Sequence, residues 1–116
     1  MKIALLVFSL CLMSKDQCDF NDIKFVQVLT GAKVQSKPEW KVTVTNDCIC
    51  TQFNIQLSCS GFQTVEKIDP SILTIGKDTC LLLKNDRFFG FHNVSFNYAW
   101  DTKFPFKTIS SDIACS

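Results

Sequence analysis

The chain has 116 residues, twelve Lys and Arg against eleven Asp and Glu, and a formal charge of +1. That length suits one domain, and so even a balance excludes binding to nucleic acid or an anionic membrane by charge alone. A composition 47% hydrophobic and 20% charged excludes a disordered chain, and a single His excludes His-rich metal sites and two-His mechanisms.

Met1-Lys2 supplies a positive start, Ile3 to Met13 is an apolar run broken only by Ser9, and Lys15-Asp16 ends it. The run lies in the roughly 7–15 residue range of a signal-peptide core and falls well short of the roughly 20 residues of a membrane-spanning helix. The rival reading is a buried N-terminal strand or helix. The order of charge, apolar core and polar break favours a signal peptide over residues 1–14, cut after Ser14, and a single mature domain over residues 15–116. Its removal takes Lys2 and Cys11 with it. Cys18, Cys48, Cys50, Cys59, Cys80 and Cys115 remain. Six is an even number, as a disulfide framework requires in a secreted chain.

The mature chain reads as short strands. Ile23–Leu29 is the first candidate. Trp40, Val42 and Val44 alternate with Lys41, Thr43 and Thr45; Phe53, Ile55 and Leu57 alternate with Asn54, Gln56 and Ser58; Val94, Phe96, Tyr98 and Trp100 alternate with Ser95, Asn97, Ala99 and Asp101. Period two is the mark of a half-buried strand. Phe62–Ile68, Ile72–Ile75, Cys80–Leu83, Phe104–Ile109 and Asp112–Cys115 are weaker candidates. Turn chemistry separates them at Thr30-Gly31, Ser36-Lys37-Pro38, Asn46-Asp47, Ser60-Gly61, Asp69-Pro70-Ser71, Gly76-Lys77-Asp78 and Asn85-Asp86. A single helical turn fits after Asp69-Pro70, where Asp can cap and Pro suits the first helical position. The fold expected is all-β: a small disulfide-bonded β-sandwich of short antiparallel strands.

Cys48 and Cys50 are separated by one residue. On a strand they share a face, and a bond between them would close a very small ring, so each pairs elsewhere. Six cysteines allow about 15 pairings, of which about 12 lack that bond, and the spacing leaves them open. A zinc site at Cys48, Cys50, Cys59 and Cys80 fits poorly, because such sites favour pairs two to four residues apart. No metal or other cofactor is expected.

Catalytic motifs are missing: no Gly-x-Ser-x-Gly, no His-Glu-x-x-His and no Gly-rich phosphate loop occurs. His92 would need a free thiol that six paired cysteines do not leave. Glu66, Asp69, Asp78 and Asp101 read as solvated acids rather than a glycosidase pair. The protein is therefore expected not to be an enzyme. Asn93-Val94-Ser95 is a glycosylation sequon whose Asn must be exposed to be used.

The stretches Lys37-Pro38-Glu39-Trp40, Asn46-Asp47-Cys48-Ile49-Cys50, Leu57-Ser58-Cys59-Ser60-Gly61-Phe62, Asp69-Pro70, Asp78-Thr79-Cys80-Leu81 and Phe96-Asn97-Tyr98-Ala99-Trp100, closing with Cys115, resemble the plant Tapetum Determinant-like family of small secreted cysteine-rich proteins. The single residue between Cys48 and Cys50 is similar to the shorter Cys-x-Cys branch of that family. The resemblance implies an extracellular, apoplastic ligand without catalysis. Its partner would be the ectodomain of a leucine-rich-repeat receptor-like kinase in developmental signalling such as anther cell-fate determination. Lys84 to Phe91 stands where the family leads one to expect a turn richer in Gly and Pro. Arg87, Phe88 and Phe89 within it are the candidate receptor contacts, since Arg and aromatics are enriched at interface hot spots; the rival reading sends these Phe into the core. An alternative function is a carbohydrate-binding module using Trp40, Tyr98 and Trp100, with the rival reading that these rings are core.

Overall fold

The computed structural model describes residues 18–115; the expected signal peptide lies outside them. After a single 3-10 turn at Phe20–Asp22 come seven strands: β1 (Ile23–Val34), β2 (Lys37–Asn46), β3 (Thr51–Ser58), β4 (Leu73–Ile75), β5 (Thr79–Phe88), β6 (Asn93–Ala99) and β7 (Lys107–Ala114). They form two antiparallel sheets, one ordered β1-β2-β6 and the other β4-β5-β3-β7. The expected all-β sandwich is the fold.

Alternation builds the core. Val42 and Val44 of β2 and Phe96 and Tyr98 of β6 point inward from the first sheet, and Ile55, Leu57, Leu73, Leu82 and Phe88 meet them from the second. Burying each aliphatic side chain contributes about 1.5–3 kcal/mol. Phe106 closes one side, in ring contact with Phe25, Phe62, Phe96, Tyr98 and Phe104.

Several boundaries differ from the sequence reading. Gly31, at φ +92, is a bulge within β1 rather than a turn. The hairpin turns at Gln35 and Ser36, both at positive φ, as a two-residue hairpin loop requires. The expected strand at Phe62–Ile68 is irregular chain, since its backbone pairs only locally with the end of β6. The two last candidates fuse into β7. Asp69 does cap one turn, its carboxylate accepting from the Ser71 amide and its carbonyl from those of Ile72 and Leu73.

Candidate functional site

All six cysteines among the described residues are paired: Cys18 with Cys48, Cys50 with Cys115, and Cys59 with Cys80. Cys48 and Cys50 do pair elsewhere, as their spacing requires. The sulfurs of Cys18, Cys48 and Cys50 lie within 4.8 Å of one another, but each is taken up in a bridge, and Cys59 and Cys80 bond to each other. The bridges at Cys48 and Cys50 anchor the short connection between β2 and β3 to both ends of the described chain.

That connection forms one end of the sandwich together with the β5–β6 turn. Phe91 donates its amide to the Asn46 carbonyl at 2.8 Å, Asn46 donates to the His92 carbonyl at 3.0 Å, and Asp47 donates to the Asp22 carbonyl at 2.9 Å. Gly90 packs so closely that a Cβ there would collide with the Ile49 and Cys48 carbonyl oxygens. A buried polar network lies beneath. Asn46 donates from Nδ2 to the carbonyls of Cys50 and Phe88, at 2.8 and 2.9 Å. Gln52 donates from Nε2 to Asn46 Oδ1 and to the Asp19 carbonyl, and Ser111 donates to Gln52 Oε1 at 2.6 Å. Asn46 and Gln52 are fully buried. One network therefore ties β2, β3, β7 and both tip loops together.

On this rigid tip three apolar side chains face solvent: Ile49 is 68% exposed, Phe89 52% and Phe91 63%. The Phe89 ring meets the His92 ring edge-on at 5.6 Å. Of the sequence candidates, Phe89 belongs to the tip. Phe88 does not; it is 2% exposed and sits in the core, because the strand pleat sends neighbouring residues to opposite faces. Arg87 is exposed and stacks on the Phe53 ring, 4.4 Å from its centroid. It borders a separate cleft of about 340 Å³ with Leu81, Leu83, Asn54 and Asp112, formed where the β3–β5 register slips between Phe53 and Ile55. Phe91 closes the Lys84–Phe91 stretch singled out in the sequence, whereas Ile49 escaped the sequence reading. The signal for Ile49 was present: the residue between two buried strand-like cysteines must face away from both.

Tyr98 is fully buried, donating its hydroxyl to Gln27 Oε1 at 2.5 Å and accepting from the Phe104 amide. Trp40 and Trp100 pack against the core, with Lys37 over the Trp100 ring. The three rings expected for sugar stacking thus form no open platform. Asn93 opens β6 on the solvent side.

One carboxyl pair differs from the expectation of solvated acids. Burial pushes Glu66 up from its ordinary 4.5 to about 7, and a hydrogen bond with Glu39 and its charge add to the shift. Glu39 is lowered, mainly by the Thr30 hydroxyl, which donates to its Oε1 at 2.7 Å, and then by Glu66. Environments that push two carboxyls apart are a mark of acid–base pairs. A glycosidase pair, however, stands about 5 Å or more apart to admit a sugar, whereas Glu39 and Glu66 lie close enough to shift each other directly. Folding takes up a proton on Glu66 between its ordinary value and about 7. The stability this contributes is full below about pH 4.5 and is lost as pH rises through about 7. Urea midpoints of the native protein should therefore fall across that window, and Glu66→Gln should flatten the decline; an unchanged slope in the variant would exclude Glu66 as its source.

A family profile described as Tapetum determinant 1, C-terminal, matches residues 19–116. The TPD1 protein homolog 1B of Oryza sativa subsp. japonica is 28% identical over 105 residues, which cover 89% of this chain and 61% of the relative. The chain thus spans about three fifths of the length of that curated relative. No solved structure matches it. The profile covers nearly every residue that builds the two sheets, the three bridges and the exposed tip, and the chain belongs to the Tapetum determinant 1 C-terminal family.

Proposed function

We propose that the protein is a secreted, non-catalytic signalling ligand. Its disulfide-anchored tip would engage the ectodomain of a leucine-rich-repeat receptor-like kinase in plant developmental signalling. Phe91 carries the reading. Its backbone stands at φ +61, a conformation that is unfavourable for a bulky side chain. Its side chain is 63% exposed, so core packing does not repay that cost. Neither backbone preference nor burial gives a folding reason for Phe at this position, and strained exposed residues of this kind concentrate at contact sites. Ile49 and Phe89 extend the same surface on a backbone already fixed, which lowers the ordering entropy of binding. Family membership and three disulfides, which suit an oxidising compartment, support the extracellular setting. A leader over residues 1–14 and a glycan at Asn93 belong to the same proposal. The glycan is read from a mobility shift of the secreted protein on glycosidase treatment.

The test is titration of the secreted protein against receptor-kinase ectodomains by calorimetry. Phe89→Ala and Phe91→Ala should each weaken binding about 30-fold or more, the scale of an interface hot spot. Phe91→Asn should lose the same affinity while the fold becomes no less stable, because Asn tolerates the left-handed backbone. Saturable binding that survives all three substitutions would move the contact away from the tip; no saturable binding to any ectodomain would remove the ligand reading.

A further inference from the structure

A two-sheet sandwich of this order has four open strand edges: β1 and β6 in one sheet, β4 and β7 in the other. Exposed edges are templates for pairing with another chain, and proteins blunt those they do not use. Two are blunted here, and β6 is covered at one end only. β4 has only three residues. β7 follows β3 with two register slips, between Phe53 and Gln56 and between Gln56 and Leu57. The far end of β6 is covered by the irregular chain, Val65 donating to the Ala99 carbonyl and Ala99 to the Thr64 hydroxyl. β1 is different. From Ile23 to Leu29 it pairs with β2 in unbroken register, and among the described residues no strand pairs along its other side.

The side chains mark the same edge. On the outer face of this sheet Lys41 and Thr43 of β2 stand opposite Asn97 and Ser95 of β6, a polar surface. Only at the β1 margin does it turn apolar: Val26 is 60% exposed and Val28 52%. An apolar strip confined to an unpaired edge is what strand addition from outside would cover.

We propose that β1 pairs antiparallel with β1 of a second copy of this chain, about a two-fold axis at Gln27. The sequence of the strand selects that occupant. A two-fold at Gln27 sets Val26 against the partner's Val28 and Val28 against the partner's Val26, two β-branched cross-strand pairs on one face. The same register sets Phe25 against Leu29. It places Lys24 opposite Thr30, so no like charges meet across the seam. A formal charge of only +1 leaves little long-range repulsion between copies. The bulge at Gly31 ends the regular stretch and limits the added ladder to the Lys24–Thr30 segment, so the contact is small and the association weak. Ile23 lies opposite Asn46, beside the tip. The antiparallel seam therefore sends the two tips to opposite ends of the dimer.

Sedimentation velocity on the full secreted chain from about 1 to 100 μM reads the association in the range of a small interface. A dimer should accumulate with concentration, and hydrogen exchange should slow at the alternate amides between Lys24 and Leu29 that β2 leaves open. Val26→Lys combined with Val28→Lys, which sets lysines against lysines, should raise the dimer dissociation constant at least about tenfold. Ile75→Lys, which places a lysine on an exposed apolar residue of β4 in the other sheet, should leave it unchanged. A monomer throughout the range overturns the proposal, as does a dimer whose β1 exchange does not respond to concentration. Slowing at β1 only when a receptor ectodomain is added also overturns it, and assigns the edge to that other partner. None of these outcomes depends on the tip binding a receptor.

Discussion

Replacing Cys50 and Cys115 together by alanine is expected to lower the unfolding free energy by about 4 kcal/mol, the largest loss of any single bridge. The argument is chain entropy. A cross-link removes conformations from the unfolded chain in proportion to the logarithm of the loop it closes. The sequence separations are 65 residues for Cys50–Cys115, 30 for Cys18–Cys48 and 21 for Cys59–Cys80. Cys59–Cys80 is nested inside the longest loop and shortens it when both are formed, yet the outer bridge still closes the most chain. The corresponding losses for the other two are about 3–4 kcal/mol. A small domain has roughly 5–15 kcal/mol in total, so the Cys50–Cys115 variant should be marginal at growth temperature. Urea unfolding of the three alanine pairs would check it. The order should follow loop length, and a Cys59–Cys80 pair that costs the most would refute the entropic account.

Asn46→Ala should cost about 3 kcal/mol or more, an unusually large effect for a polar residue. Its side chain is fully buried, and its removal strips the Cys50 and Phe88 carbonyls of a donor and Gln52 Nε2 of an acceptor. A buried polar group left without a partner costs about 1–3 kcal/mol. Asn46→Asp should be no better, since it keeps the size but supplies no donors for the two carbonyls. Asn54, which donates to Asp112 on the surface, is the comparison: Asn54→Gly, which suits its left-handed backbone at φ +52, should stay within about 0.5–1 kcal/mol. Amide exchange should separate a local from a global effect. In Asn46→Ala the tip amides, Phe91 and His92 foremost, should open more readily than the core of β5. Equal urea midpoints for the Asn46 and Asn54 variants would show that the network does not hold the tip.

The sandwich was legible because alternation is a local signal. Trp40 to Val44, Phe53 to Leu57 and Val94 to Trp100 each carry period two; the first two lie within strands and the third runs one residue past the end of β6. What failed did so for physical reasons. Asn46-Asp47 reads as a turn and does end β2, but where a turn Asn bonds to its own backbone the Asn46 side chain donates to the Cys50 and Phe88 carbonyls instead. Asn85-Asp86 reads as a turn for the same reason, but it lies in β5, where Asn85 takes a positive φ at the irregular register with β3. Phe88 and Phe89 look alike in sequence, but Phe88 ends β5 with its ring in the core and Phe89, the first residue past the strand, faces solvent. The disulfide pattern and the Glu39–Glu66 contact are long-range, and nothing in spacing along the chain sets them.

The tip is held from behind: by two bridges, by the close approach at Gly90 and by the buried amides of Asn46 and Gln52. None of those restraints involves the Ile49, Phe89 or Phe91 side chains. Backbone placement and surface identity are thus separable on this scaffold, and the three positions are free to be recoded without refolding the rest. At position 91 the left-handed backbone narrows the choice and disfavours β-branched residues. A library varied at Ile49 and Phe89 alone should retain nearly all its folded members, which makes the domain a ready graft acceptor for new recognition sequences.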